Sequence, residues 1–508
     1  MGNIMNKYFE RLQPYIQKGM ALQTALTLFE WDNETIAPKE SSEYTSQVIG
    51  TLSDEYFKTY INDEVKSLLD KLQGKKEQES LNEVEKAIVA ELVKIDDALR
   101  PIPSEEYKAF ATLTAKSSSV WAKAKEENDY KKFAPVLKEI IAYQKKFAGY
   151  RKKRKQKLYD VLLNDFEPGF NMEKLDVFFG KIKSELVPFM KKVAEKKDSI
   201  GKSYEFDKYS VEKQKEFCDW ISTYLGFNLN RGIIGESAHP FTTNLHNHDV
   251  RYTNHFNEQG LEDSIFSAIH ETGHALYELG IADKLNLTPV GTGTSMGMHE
   301  SQSRFWENVV GRSEAFWTPI YKRLQDTFPE QLKNITLKDF IKGINKSTPS
   351  LIRTQADELT YPMHILIRYE VEKEIIEKGA DVDSLPRLWN EKYKEYLGVE
   401  PQSDAEGILQ DIHWATGDFG YFPSYALGSA VAAQIYYYMK QAMPLEQYLK
   451  DGNLLPIRDF LQEKIHQYGK SKTTNELLLE MTGEEFNADY YIKYLKEKYQ
   501  KLYHINVN

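Results

Sequence analysis

A chain of 508 residues that is 41% hydrophobic and 13% aromatic can bury a large core, which excludes a disordered or fibrous protein. Its formal net charge of −10 excludes nucleic acid or an anionic membrane surface as a general partner. With Cys218 as the only cysteine no intrachain disulfide can form, and a buried, inert thiol in a cytoplasmic protein is expected.

The opening, MGNIMNKYFERLQPY, lacks the continuous apolar stretch of a signal peptide, and Asn6 stands where myristoylation wants Ser or Thr. Val84, Ile88, Leu92, Ile95 and Leu99 recur at helical intervals before PIP stops the run at Pro101, so one amphipathic helix is predicted here. The basic run YRKKRKQK, 150–157, reads as a solvated helix face ahead of a nuclear signal or phosphate patch. HDVRYT, 248–253, is the best strand signal and suggests a small hairpin. The longest apolar segment, 425–439, carries Gln434 and is too short to span a bilayer. Capping boxes at Thr473 with Glu476 and at Thr482 with Glu485 predict two helix starts.

No Gly/Ser or Pro-rich linker and no fixed-period repeat divides the chain, so the expected fold is mostly α: one large helical unit with a small β hairpin or sheet. All eleven histidines lie at or after His239. Residues 1–238 therefore read as a helical scaffold or lid and 239–508 as the catalytic region of one continuous fold.

SAIHETGHALYEL, 267–279, carries the chemistry. Ile265, Ile269, Leu276 and Leu279 make one apolar stripe, and Gly280 stands where a helix C-cap glycine belongs. On such a helix His270 and His274 project from one face, roughly 6 Å apart along the axis, and Glu271 flanks them about 100° round. The bland alternative is two solvated histidines, since a chance H-E-x-x-H in a chain of this size has odds on the order of one in a hundred. A catalytic zinc site needs a third protein ligand, and GTGTSMGMHESQSRFWEN offers His299 and Glu300 at the start of a helix whose apolar face is Phe305, Trp306 and Val309. Glu300 is preferred, because a carboxylate from a second helix completes a His, His, Glu set; His299 then sits behind the ligands or lines the substrate cleft.

Six stretches, HPF (His239 to Phe241), DVRYT (Asp249 to Thr253), HETGH (His270 to His274), HESQ (His299 to Gln302), IRTQAD (Ile352 to Asp357) and GILQDIHW (Gly407 to Trp414), resemble in order the motifs of the M32 metallocarboxypeptidases, the carboxypeptidase Taq type. The resemblance implies a mostly α-helical homodimer with a deep groove, a broad-specificity metal-dependent carboxypeptidase acting on peptides, and Glu300 as third metal ligand.

In such a site zinc, with cobalt as the alternative, lowers the pKa of water to about 7 and polarises the scissile carbonyl, while Glu271 serves as general base and then acid. HWATGDFGYFPSY supplies His413, Tyr421 and Tyr425 as candidate oxyanion donors or substrate contacts. Recognition of a terminal carboxylate calls for a fixed cation, and Arg353 and Arg251 are the candidates, each with a structural alternative in a nearby carboxylate, Asp357 or Asp249. Pro349 and Ser350 look like a helix start that could hold Arg353. HPF reads as a rigid turn with an aromatic wall, with His239 as a further candidate substrate contact. An endo-acting oligopeptidase would share the same triad; a non-catalytic helical metal protein fits less well with an open fourth position beside Glu271.

Overall fold

The computed structural model describes residues 6–202, 204 and 207–505. Most of them are helical, and one three-stranded sheet interrupts the helices between residues 232 and 254.

Several helices begin where a side chain satisfies their first amide groups. Asn82 caps Glu83–Leu99 in a full capping box with Glu85, and the expected stripe of that helix buries Ile88 and Leu92 against Val65, Leu68, Leu69 and Leu72. Thr473 and Glu476 form the expected box at the start of Thr474–Thr482. The second expected box does not form. Thr482 closes that same helix, Gly483 adopts φ +82° as its C-cap, and the next helix starts only at Asp489. Nor does a helix start at Pro349. Asp357 accepts the Thr348 amide at 2.9 Å and the Leu359 and Thr360 amides at 3.0 and 3.1 Å, stapling the segment into an irregular path that holds only the short turn Arg353–Gln355.

Strands β1 (Gly232–Glu236), β2 (Thr242–His246) and β3 (Asp249–Asn254) lie in the order β1-β3-β2. β2 and β3 make the expected hairpin, with Thr242 opposite Tyr252 and Thr243 opposite Arg251. β1 adds in parallel to the free side of β3. Its short run, GIIGE, has no alternation of burial by which the sequence could reveal it.

Contacts divide the chain into two compact units. The first comprises 1–100, 204–335 and 440–483; the second comprises 101–203, 336–439 and 484–508. Packing boundaries thus fall elsewhere than at 238, and each unit draws on both sides of that position, because long helical returns bring distant segments together. Cys218 is buried and its thiol is pushed up to about 12 by desolvation, as expected of an inert packing residue. The basic run lies at the end of Tyr130–Arg151 and in the loop after it, where Arg151 grips Asp165 at 2.9 and 2.8 Å. Residues 425–439 lie in the largely buried helix Pro423–Ala442, and among the described residues no helix is long and apolar enough to cross a membrane.

Candidate metal centre

The helix Leu261–Leu279 runs through the first unit with thirteen of its residues buried. Gly273, inside HETGH, explains how the partner helix Met296–Arg304 comes so near. A Cβ built there would lie 2.7 Å from Ser303 Cα and 2.8 Å from the Gln302 carbonyl, so only glycine permits this approach. Gly280 follows the helix as expected but at φ −85°; what it provides is room, since a Cβ would lie 2.7 Å from His466 Cβ and 2.8 Å from its ring Nδ1.

The close approach brings Glu300 to the two histidines. Glu300 Oε2 lies 3.6 Å from His270 Nε2 and 3.4 Å from His274 Nε2, and the three ligand atoms all fall within 4.8 Å of one another. Donor atoms about 2.0–2.2 Å from a tetrahedral zinc stand about 3.4 Å apart, so the set fits a cation better than it fits hydrogen bonds.

Each of these three candidate ligands is held from behind. His270 Nδ1 lies 2.8 Å from Glu307 Oε2, which also takes Arg304 at 3.1 Å. Glu300 Oε1 accepts from Arg304 Nε at 2.7 Å, leaving Oε2 toward the imidazoles. His274 Nδ1 lies 2.6 Å from His299 Nδ1, and His299 Nε2 lies 2.6 Å from Glu278 Oε1. Both ring nitrogens of His299 are therefore engaged by side chains of the protein itself. Glu271 projects beside the cluster, with its Oε2 accepting from the Thr242 hydroxyl at 2.6 Å.

Electrostatics favour a cation here. Burial would raise the Glu300 and Glu307 carboxyls, yet Arg304 and the histidines hold Glu300 well below the usual range, and Arg304, His270 and Arg312 hold Glu307 at about 2. Burial pushes the His274 ring down to about 3, against the pull of Glu300, so this imidazole is neutral and able to bind metal. Burial also raises Glu271. Four carboxylates (Glu271, Glu278, Glu300, Glu307) face two guanidiniums (Arg304, Arg312), a deficit that a divalent ion would offset.

Arg251, in β3, turns back on Asp249 with both its Nε (2.8 Å) and Nη2 (2.7 Å), the structural alternative the sequence left open. His239 exposes its side chain, while its carbonyl accepts the Ser237 hydroxyl at 2.7 Å.

A second cluster lies wholly within the second unit. Arg353 is 7% exposed, and its partner is Asp411 rather than Asp357, with Nε 3.0 Å from Oδ1. Asp411 is shared: Arg368 Nε reaches its other oxygen at 2.7 Å. Burial would raise Asp411, but Arg368 and Arg353 hold it well below the usual range. The Arg353 guanidinium lies 4.8 Å from the centre of the Tyr425 ring, and Tyr425 hydroxyl lies 3.1 Å from His413 Nε2. Tyr421 packs against both, with ring centres 5.1 Å from Tyr425 and 5.3 Å from His413. Burial, with the two guanidiniums adding, pushes His413 down to about 4.

A family model for the carboxypeptidase Taq (M32) metallopeptidases matches residues 11–499. The chain belongs to this family. Carboxypeptidase 1 of Bacillus subtilis is 43% identical over 480 residues, which cover 94% of this chain and 95% of the relative. The solved structure of Pyrococcus furiosus carboxypeptidase in an apo-Mg form superposes with TM-score 0.94 at 35% identity, covering 98% of this chain and 100% of that one. An M32 carboxypeptidase from Deinococcus radiodurans R1 gives 0.93 at 31% identity, over 98% of this chain and 100% of that one. The protein is thus a metallocarboxypeptidase, a peptide hydrolase that works with a divalent metal.

Within this M32 chain the motifs do distinct physical work. HETGH and HESQ make the cluster, and IRTQAD and GILQDIHW meet where Arg353 joins Asp411. Gln410 secures that junction, accepting the Arg353 amide at 2.9 Å and donating to the Leu351 carbonyl at 3.2 Å. Sequence reasoning missed Glu307, Arg304, Glu278, Thr242 and Arg368. The first two had a usable signal, because Arg304 and Glu307 stand four and seven residues beyond Glu300 and so share its helical face. Glu278 had the same kind of signal, four residues beyond His274 and seven beyond Glu271 on one helix, whereas Thr242 and Arg368 had none, since their partners are set by packing.

Proposed function

We propose that this M32 carboxypeptidase removes C-terminal residues from peptides with broad specificity, using zinc, or cobalt in its place, held by His270, His274 and Glu300, with Glu271 as general base and acid. The observation that carries this reading is the convergence of two imidazole Nε2 atoms and one carboxylate oxygen beside a buried glutamate that ligates nothing. Two imidazoles with one carboxylate favour zinc over the oxygen-seeking magnesium or calcium. When bound, the ion supplies Lewis acidity that acidifies water and polarises the peptide carbonyl.

The rest belongs to side chains. Glu271 takes a proton from water as the water oxygen forms its bond to the carbonyl carbon; the same proton then passes to the nitrogen as the C–N bond breaks, and water's second proton leaves the new carboxyl group for the amine, giving a carboxylate and an ammonium group. Oxyanion stabilisation is assigned to His413 and Tyr421, with Tyr425 as a substrate contact, because burial keeps His413 neutral beside two phenols. Arg353 is assigned to the substrate carboxylate. Two guanidiniums share one carboxylate at Asp411, so that cluster keeps a surplus positive charge. Arg251 has less support, since one aspartate fills its fork. His239 is retained as a substrate contact on the strength of its exposure, while His299 is assigned to supporting His274 from behind, the other of the two places the sequence left open for it. A cytoplasmic location accords with the lone buried thiol, and a homodimer is proposed from the family resemblance, to be read as mass by light scattering.

Mass spectrometry of a defined peptide digest decides the main reading. A ladder shortening from the C-terminus, abolished by chelator and restored by zinc or cobalt, is expected; internal fragments would mean an endopeptidase. Glu300→Ala should bind metal poorly, and parental metal binding in that variant would sink the ligand assignment.

A further inference from the structure

We propose that β2 is a positioning strand, whose Thr242 aims the base Glu271 and whose Asn244 anchors a hydrogen-bond relay that fixes the ligand tautomer of His274. The inference rests on the roles given above to Glu271 and His274.

Thr242 and Asn244 stand two apart on β2 and so face the same side. Glu271 and Glu278 stand seven apart on one helix and so share a face. Two residues of strand advance about 7 Å and seven of helix about 10 Å, a difference the long glutamate side chains absorb. The strand therefore reaches both carboxylates at once.

Thr242 has one hydroxyl proton. Glu271 Oε2 lies 2.6 Å from that oxygen and the Glu271 carbonyl 3.2 Å, so the proton belongs to Oε2. Oε1 accepts no hydrogen bond from the described residues and is the oxygen left to receive a proton from water. Without the hydroxyl the carboxylate could rotate and present either oxygen.

Asn244 donates from Nδ2 to Glu278 Oε2 and to the Gly291 carbonyl at 3.2 Å. Its Oδ1 has no hydrogen-bond partner among the described residues, and turning the amide over would set that oxygen against the carboxylate, so the orientation is fixed. Glu278 Oε1 receives the Thr292 hydroxyl at 3.0 Å, the Gly293 amide at 3.0 Å and His299 Nε2 at 2.6 Å. A carboxylate only accepts, so a neutral His299 ring carries its proton on Nε2 and offers a lone pair at Nδ1. His274 must then donate from Nδ1 across 2.6 Å, which leaves the lone pair of its Nε2 toward Glu300. Gly293 keeps the relay compact, because a Cβ there would lie 2.6 Å from His299 Cδ2.

The two arms separate in experiment. Thr242→Val should lower kcat about tenfold, the loss of one hydrogen bond to a charged group, with KM and metal affinity within about twofold of the parent. Thr242→Ser, which restores the hydroxyl, should recover most of the rate. Asn244→Leu and His299→Leu should each weaken zinc binding by about 10–100-fold, read by competition of the apo-protein with a chromogenic chelator, and the double variant should be little worse than either single one. His299→Gln, whose amide can accept on one side and donate on the other, should bind zinc more tightly than His299→Leu and covers the case in which the leucine variants fold poorly. Unchanged kcat in Thr242→Val, no rescue by serine, or zinc affinity untouched in both relay variants would overturn the strand's role. Glu271→Gln run alongside keeps the readings apart: full turnover there would remove the base itself, whereas an inactive Glu271→Gln beside a fully active Thr242→Val would remove only Thr242.

Discussion

The metal centre and the Arg353 cluster are both charged and buried, yet they are assembled differently and lean to opposite signs. The centre takes two imidazoles from one turn of one helix and leaves carboxylates in excess over guanidiniums. The Arg353 cluster joins residues 58 apart in the chain and leaves guanidiniums in excess over carboxylate. One is suited to a dication, the other to an anion such as a peptide's end. The difference also sets what a sequence can show: a site built on helical periodicity is written in local spacing, while a site built by packing shows only that its parts exist.

The sharpest way to break this comparison is at the centre's own base. Glu271→Gln should keep its metal and lose about 10²- to 10⁴-fold in kcat, because the amide cannot accept the water's proton. Parental turnover with full metal content would sink that role and leave the centre a holder of metal alone.

Next in size is the support behind His270. Glu307→Gln removes the charge that holds His270 Nδ1 and pairs with Arg304, and zinc affinity should fall by about 10–100-fold. Affinity equal to the parent's would mean that the His270 ring is oriented by packing instead.

The Arg353 cluster is tested by substrate, since its proposed partner is a carboxylate. A charge-assisted contact is worth roughly 1.5–3 kcal/mol, so Arg353→Ala should lower kcat/KM about 10–100-fold on free-acid peptides and far less on amidated ones. Asp411 keeps Arg368 in that variant, which limits the damage to the fold. Equal losses on both substrates would turn Arg353 into a structural residue and make its bond to Asp411 the whole of its function.

What was legible follows the same division. The helix Glu83–Leu99, the β2–β3 hairpin and the shared face of His270 and His274 were legible because each depends on a period or a turn within a few residues. Glu300 needed one further step, a carboxylate at the start of the next helix. Where one local rule failed, a competing contact had displaced it. Thr482 and Glu485 fit the capping pattern, but Thr482 already ends the helix begun at Thr474. Pro349 and Ser350 fit a helix start, but Asp357 draws the chain onto another path. For Arg353 the structural alternative offered by the sequence was the aspartate four residues on, whereas the carboxylate that packing delivers is Asp411, 58 residues on.

The smallest expected effect concerns stability and a carboxylate that neither cluster uses. Glu372 is fully buried and faces only neutral donors: the Tyr159 hydroxyl at 2.6 Å, the Gly420 amide at 2.9 Å and Trp414 Nε1 at 2.8 Å. Burial raises it to about 7, since those hydrogen bonds only partly replace water and Asp418 adds a like charge. The folded pKa thus lies above the unfolded one, so the folded state binds more protons between roughly pH 4.5 and 7 and stability falls as pH rises through that window. The contribution is fully present below about pH 4.5 and lost above about pH 7, and a shift of that size corresponds to on the order of a few kcal/mol. Glu372→Gln cannot ionise, and its amide meets the Trp414 N–H donor to donor, so its melting temperature should be lower than the parent's at pH 5 yet change less between pH 5 and pH 8. Parallel curves for the two proteins would show that Glu372 is already ionised in the fold at pH 5. Because its three partners include Trp414 and Gly420, which lie just inside the two ends of the segment from His413 to Tyr421, such an outcome would also mean that this segment is anchored by a full negative charge, and the surplus of positive charge around Arg353 would need recounting.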